Sequence, residues 1–95
     1  MDKQLSLMGI ARRAGKLAVG HDAVFDSVRK GRAAAVIITN DASSRHLKEL
    51  EAAGFEGKII KLDASMDDAA AATGKRSCIF SLEDEGFAEA IVKTV

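Results

Sequence analysis

Proline is absent from the chain, and glycine does the punctuating: Gly15, Gly20, Gly31, Gly54, Gly57 and Gly74 divide it into short blocks. Within those blocks the apolar residues alternate between a helical stripe and a brief strand-like run. Leu5, Met8 and Ala11, with Leu7 and Ala14 beside them, predict a helix from Lys3 to about Ala14 with a broad buried face. Leu17-Ala18-Val19 follows as a short strand between two glycines. His21, Val24, Phe25 and Val28 form an i, i+3, i+4, i+7 stripe, so a helix is expected from Gly20 to Lys30, stopped by Gly31. Val36-Ile37-Ile38-Thr39 is a β-branched run and hence a buried strand. A helix over 43–53, with Leu47 and Leu50 turned inward, ends at Gly54.

The second half repeats the scheme. Ile59-Ile60 is a third strand. Ser65 with Asp68, and again Ser81 with Asp84, have the spacing of a capping box at a helix start. A fourth strand is expected over 77–81, and Phe87, Ala88, Ile91, Val92 and Val95 make the apolar stripe of a last helix. Four short strands alternating with five helices argue for an α/β fold, a three-layer α/β/α sandwich around a four-stranded sheet. Strand order stays open at this point. Ninety-five residues suit one domain, 1–95, with one continuous core.

Net charge is zero, but its distribution is uneven. Residues 1–32 hold seven basic residues against three acidic, a balance of +4, whereas 62–95 hold three against seven, a balance of −4. A basic front half is compatible with a phosphate-attracting patch and equally with ordinary solvated surface. The lone Cys78 can form neither an internal disulfide nor a cysteine-rich zinc site, and its strand setting predicts a packed, inert thiol. No apolar run has the length of a membrane span or the form of a signal peptide, so the expected compartment is the cytoplasm.

Enzymatic constellations are thin. His21 and His46 show no cysteine or carboxylate at zinc-ligand spacing, so no metal site and no cofactor are expected. Asp67-Asp68 and Glu83-Asp84-Glu85 fall at helix starts, where the helix dipole favours carboxylates. Phosphate-loop, dinucleotide and nucleophile-elbow motifs are missing, and a non-enzymatic protein is expected. Two stretches suit binding. In one, Gly20 precedes a helix whose free first-turn N–H groups, on His21, Asp22 and Ala23, suit phosphate or base-edge acceptors, with Arg12, Arg13 and Lys16 upstream. In the other, Thr73-Gly74-Lys75-Arg76-Ser77 places two cations after a glycine, either to meet phosphate or to keep a strand end solvated.

The run 9–17, Gly-Ile-Ala-Arg-Arg-Ala-Gly-Lys-Leu, followed by Val19-Gly20, resembles the opening of the ribosomal-protein family named for L-seven-Ae and L-thirty-e, and most of all its small bacterial members. The spacing of Gly20 and Gly31, the Asn40-Asp41-Ala42-Ser43 turn, Ala72-Thr73-Gly74-Lys75 and the 84–88 run Asp-Glu-Gly-Phe-Ala extend the likeness over essentially the whole chain. The resemblance implies an α/β/α sandwich around a mixed sheet and recognition of structured, kink-turn-like RNA. It also implies a ribosomal or translational setting in a ribonucleoprotein, with ribosomal or other non-coding RNA as partner and ribosomal or translation proteins nearby. It assigns RNA contacts to Lys16, to Gly20, His21, Asp22 and Ala23, and to Gly74, Lys75 and Arg76, with Arg12 and Arg13 adjoining. Strong kink-turn binders carry Asn-Glu where this chain has Asp22-Ala23, a phosphate-facing lysine where it has Asp26, and an apolar loop where it has Lys75-Arg76. The same superfamily includes members that act by binding proteins, and Asp22 and Asp26 favour that second reading.

Overall fold

The structure, a computed structural model, describes residues 2–94. Helices and strands alternate throughout: α1 Lys3–Arg13, β1 Leu17–Val19, α2 His21–Arg29, β2 Ala35–Ile38, α3 Arg45–Ala52, β3 Lys58–Lys61, α4 Met66–Thr73, β4 Ile79–Leu82 and α5 Glu85–Lys93. The strands form one mixed sheet in the order β1-β4-β2-β3. β4 runs antiparallel to both its neighbours, β1 and β2, and β2 pairs parallel with β3.

Alternation along the central strands builds two cores. Ala35 and Ile37 of β2 and Phe80 and Leu82 of β4 face α1, α4 and α5, where Leu5, Met8, Ala69, Ala88 and Ile91 pack against them. Val36, Ile38 and Ile79 point the other way, onto Val24 and Phe25 of α2 and Leu50 of α3. Strands buried on both faces read as continuous apolar runs rather than as alternation, which explains the shape of 36–38 in the sequence. A side-chain bond from Gln4 Nε2 to the Ile91 carbonyl, 3.2 Å, ties α1 to α5. On the other face Ser27 and Ser81 share a fully buried hydroxyl–hydroxyl bond of 2.9 Å between α2 and β4. Gly9 lets α1 close on α4, since a Cβ there would stand 2.8 Å from the Ala72 carbonyl oxygen.

Several details depart from the sequence expectation. Leu47 is 41% exposed, because α3 turns Leu50 and His46 inward instead. That helix starts at Arg45, two residues after the expected position. The Ser65/Asp68 capping box forms as expected. Ser81, in contrast, is a buried β4 residue, and Asp84 itself caps α5 by accepting from the Phe87 N–H at 3.0 Å. The last strand is shifted to Ile79–Leu82, which leaves Cys78 just before it and only partly buried. His21 lies at the exposed end of its stripe, and Val95 falls outside the described residues.

Candidate nucleic-acid interface

The carboxyl ends of β1 and β2 and the amino end of β4 meet at one edge of the sandwich. The Gly20 N–H donates to the Ile79 carbonyl at 3.2 Å and the Thr39 N–H to the Cys78 carbonyl at 3.0 Å, so both turns are fixed to the start of β4. Gly20 has φ +100° and ψ 159°, a conformation essentially closed to residues with a side chain. It serves as N-cap of α2 and supplies no capping side chain. The first-turn N–H groups of α2 therefore point out with the positive end of the helix dipole behind them.

Val19, Gly20, His21, Asp22 and Ala23 line a shallow pocket of about 350 Å³, and Lys75 closes its far side. The sheet order accounts for this meeting. β4 is hydrogen-bonded to β1, so the 74–78 loop that enters β4 lands beside the Gly20 turn that leaves β1. Gly74 ends α4 in the left-handed conformation, φ +83°, and turns the chain toward that loop.

The other expected residues are placed differently. Arg76 leans away from the pocket and donates from Nε to Asp67 Oδ1 at 2.8 Å, an exposed pair that holds its guanidinium charged. Lys16 sits at the opposite end of β1, where its carbonyl accepts from the Glu83 N–H at 2.8 Å. Four residue steps through the strand put it roughly 13 Å from Gly20 along the backbone. Arg12 and Arg13, in the last turn of α1, belong to that same end. The basic residues thus form two groups, Arg12, Arg13 and Lys16 at one end of β1 and Lys75 at the other. Asp26, whose charge opposes phosphate, is paired with Lys30 on the next turn at 3.1 Å, so its field is partly offset locally.

His21 is turned sideways, toward α3. Its Nε2 is 2.8 Å from Glu49 Oε2, its Nδ1 is 3.4 Å from Asp22 Oδ1, and its ring lies 4.6 Å from that of Phe25. The bond to Glu49, then that to Asp22, raises the His21 pKa above the ordinary imidazole value, while His21 holds Glu49 below the usual carboxylate range. His46, buried under the same carboxylate, has Nε2 3.3 Å from Cys78 Sγ. Sequence reasoning did not group these residues. The available signal was His46 and Glu49 at i, i+3 on one helix, but only the sheet order sets α3 against α2. Asp41 is a further anchor at this edge, accepting from the Thr39 hydroxyl at 2.6 Å and from the Met66 N–H at 3.1 Å.

A four-stranded mixed sheet covered by helices on both faces, with an uncapped second helix opening at its edge, is the architecture that the sequence resemblance implied. Among solved structures, a protein of unknown function from Bacillus halodurans matches 99% of this chain with a TM-score of 0.86 and 26% identity, over 97% of its own length. A 15.5-kD RNA-binding protein from Giardia lamblia matches 95% of the chain at TM-score 0.73 and 17% identity, over 79% of its length, which is a likeness of fold. No family model matches the sequence. Two curated relatives are named RNA-binding protein YlxQ. The one from Enterococcus faecium is 32% identical over 89 residues, 92% of this chain and 85% of the relative. The one from Bacillus subtilis is 31% identical over 88 residues, 90% of this chain and 88% of the relative. The chain belongs to the family of these YlxQ proteins.

Proposed function

We propose that the protein binds structured RNA, without enzymatic activity, at the open first turn of α2. The observation that carries this reading is the pocket in which Gly20, in a conformation reserved for glycine, presents an uncapped helix start opposite Lys75. The family names support it, since both curated relatives are called RNA-binding proteins. Backbone N–H groups and Asp22 are suited to base edges: the carboxylate, fully exposed, accepts from guanine N1 or N2. Lys75 is placed for a phosphate, and Arg12, Arg13 and Lys16 form a second cationic area for a flanking stem. The RNA class proposed is kink-turn-like, ribosomal or other non-coding, in the cytoplasm and in the setting of the ribosome or of translation. Among the described residues no helix is long and apolar enough to cross a membrane.

Asp26→Lys tests the assignment of the face. It replaces an acidic side chain beside the site with a cation, and the loss of its pairing with Lys30 limits the gain. Tightening of kink-turn binding by an exposed charge is expected to be no more than about 1 kcal/mol. Weaker binding in this variant would place the RNA elsewhere. Asp22, wholly exposed on the same rim, favours the second reading, a protein-binding module on this fold. That reading prevails if neither the parent nor Asp26→Lys binds RNA at low salt, where electrostatic attraction is least screened.

A further inference from the structure

Beside the proposed RNA face, at the junction of α2 and α3, the donors of His21, His46 and Glu49 converge with every ligating atom within 4.8 Å of the others. We propose that these three side chains bind a borderline transition-metal ion, zinc being the best match, through His21 Nε2, His46 Nδ1 and the Glu49 carboxylate. The inference does not depend on RNA binding.

The strongest indication is a pair of orphaned atoms. His46 is only 8% exposed, and among the described residues its Nδ1 has no hydrogen-bond partner, nor has the buried Oε1 of Glu49 that faces it, whose other charged neighbour, Arg45 Nε, stands off at 3.7 Å. They stand 3.6 Å apart, too far for a hydrogen bond. Buried polar atoms without partners are rare and ask for an explanation. An ion between them satisfies both. A tetrahedral zinc with bonds of about 2.0–2.1 Å spaces its ligand atoms roughly 3.4 Å apart. The Glu49 carboxylate stands between the two imidazoles, with Oε1 3.6 Å from His46 Nδ1 and Oε2 2.8 Å from His21 Nε2, contacts on either side of that spacing. His21, whose side chain is about half exposed, is the ligand free to adjust around an ion.

The outer partners suit the same assignment. Metal-bound histidines donate their other N–H to an acceptor that fixes the tautomer. His46 Nε2 lies 3.3 Å from Cys78 Sγ, which leaves the Nδ1 lone pair free for the ion. His21 Nδ1 lies 3.4 Å from Asp22 Oδ1, so with an ion bound Nδ1–H would donate there and Nε2 would exchange its hydrogen bond to Glu49 for the metal, a carboxylate–histidine–metal arrangement. Two imidazoles and one carboxylate favour zinc and its neighbours over magnesium or calcium, which take oxygen ligands. Three protein ligands leave a fourth position for water.

The test uses the untagged full chain, stripped with chelator, and the metal alone. Zinc is titrated by calorimetry and cobalt by visible absorption, for the parent, His21→Ala and Glu49→Gln; ring ¹⁵N shifts of His46 are followed in the parent. His21 is exposed, so its loss leaves the fold intact, and the ¹⁵N readout examines buried His46 without substituting it. One ion per chain is expected, with a tetrahedral cobalt spectrum and a zinc-dependent shift at His46 Nδ1. Each variant should weaken binding at least about tenfold, as loss of even an outer partner does. No saturable binding, binding that either variant leaves unchanged, or an unmoved His46 Nδ1 overturns the proposal.

Discussion

Gly20→Ala isolates the feature on which the binding edge depends. The glycine is held at φ +100° and ψ 159° by bonds on both sides: its N–H to the Ile79 carbonyl at 3.2 Å, and its carbonyl from the Val24 N–H at 2.9 Å. A Cβ built at this position meets nothing within 4 Å among the described residues, so the effect expected is backbone strain. Holding a residue with a side chain there costs about 1–3 kcal/mol. That is a sizeable part of the roughly 5–15 kcal/mol that holds a domain folded. At about 4–8 °C per kcal/mol for a domain of this size, Tm should fall by at least about 4 °C. Urea unfolding followed by far-ultraviolet circular dichroism should show a lower midpoint at unchanged slope. A midpoint equal to that of the parent would mean that the β1–α2 turn relaxes freely, and the account of a fixed, open helix start would be refuted.

Other substitutions separate packing from polarity. Gly9→Ala gains about 0.5–1 kcal/mol of helix preference yet sets a methyl 2.8 Å from the Ala72 carbonyl oxygen, so net destabilisation in chemical unfolding is expected; a stabilised variant would show that α1 and α4 are not in close contact. Ser27→Ala strips the buried Ser81 hydroxyl of its partner and should lower stability by about 1–3 kcal/mol, whereas the double change with Ser81→Ala should recover part of that loss. Asp41, held below the ordinary aspartate range first by the Thr39 hydroxyl and also by the Met66 N–H, stabilises the fold in its ionised form. Its contribution is complete above the unfolded-state pKa and disappears as pH falls through the lower folded-state value. The stability gap between the parent and Asp41→Asn should therefore be constant near neutrality and close below a pH of about 4, and a gap that widens in acid would contradict this.

What the sequence discloses of this protein follows a physical divide. Local patterns carry it far: the β-branched run at 36–38, the Ser65 capping box and the Val24/Phe25 stripe each describe a neighbourhood that a few residues determine, and each is found in place. Leu47 fails because one apolar residue on a short helix does not say how wide the buried face is. Here Leu50 and His46 are the residues of that helix that are buried. Ser81 fails because the capping-box spacing also occurs by chance at a strand end, where burial of the hydroxyl against Ser27 decides. Long-range placement was not legible in the residue pattern itself; the resemblance alone grouped the Gly20 and Lys75 loops, and it wrongly grouped Lys16 with them. Lys16 and Gly20 are neighbours in sequence yet bracket β1, so they face opposite ends of the sheet. Conversely, His21 meets Glu49 across 28 positions only because α2 and α3 cover the same face. Lys75 reaches the Gly20 pocket only because β4 lies next to β1, and strand order has no signature in a single sequence.

The central claim, that RNA binds at the Gly20–Lys75 edge, is tested most directly by measuring the affinity of a kink-turn RNA over a salt series by fluorescence anisotropy, for the parent and for Lys75→Ala, with a straight duplex as competitor. The account predicts that the parent binds the kink-turn in preference to the duplex, and that Lys75→Ala binds more weakly with a log–log salt slope shallower by about one. An unchanged affinity and slope in Lys75→Ala, or no binding by the parent even at low salt, would contradict it.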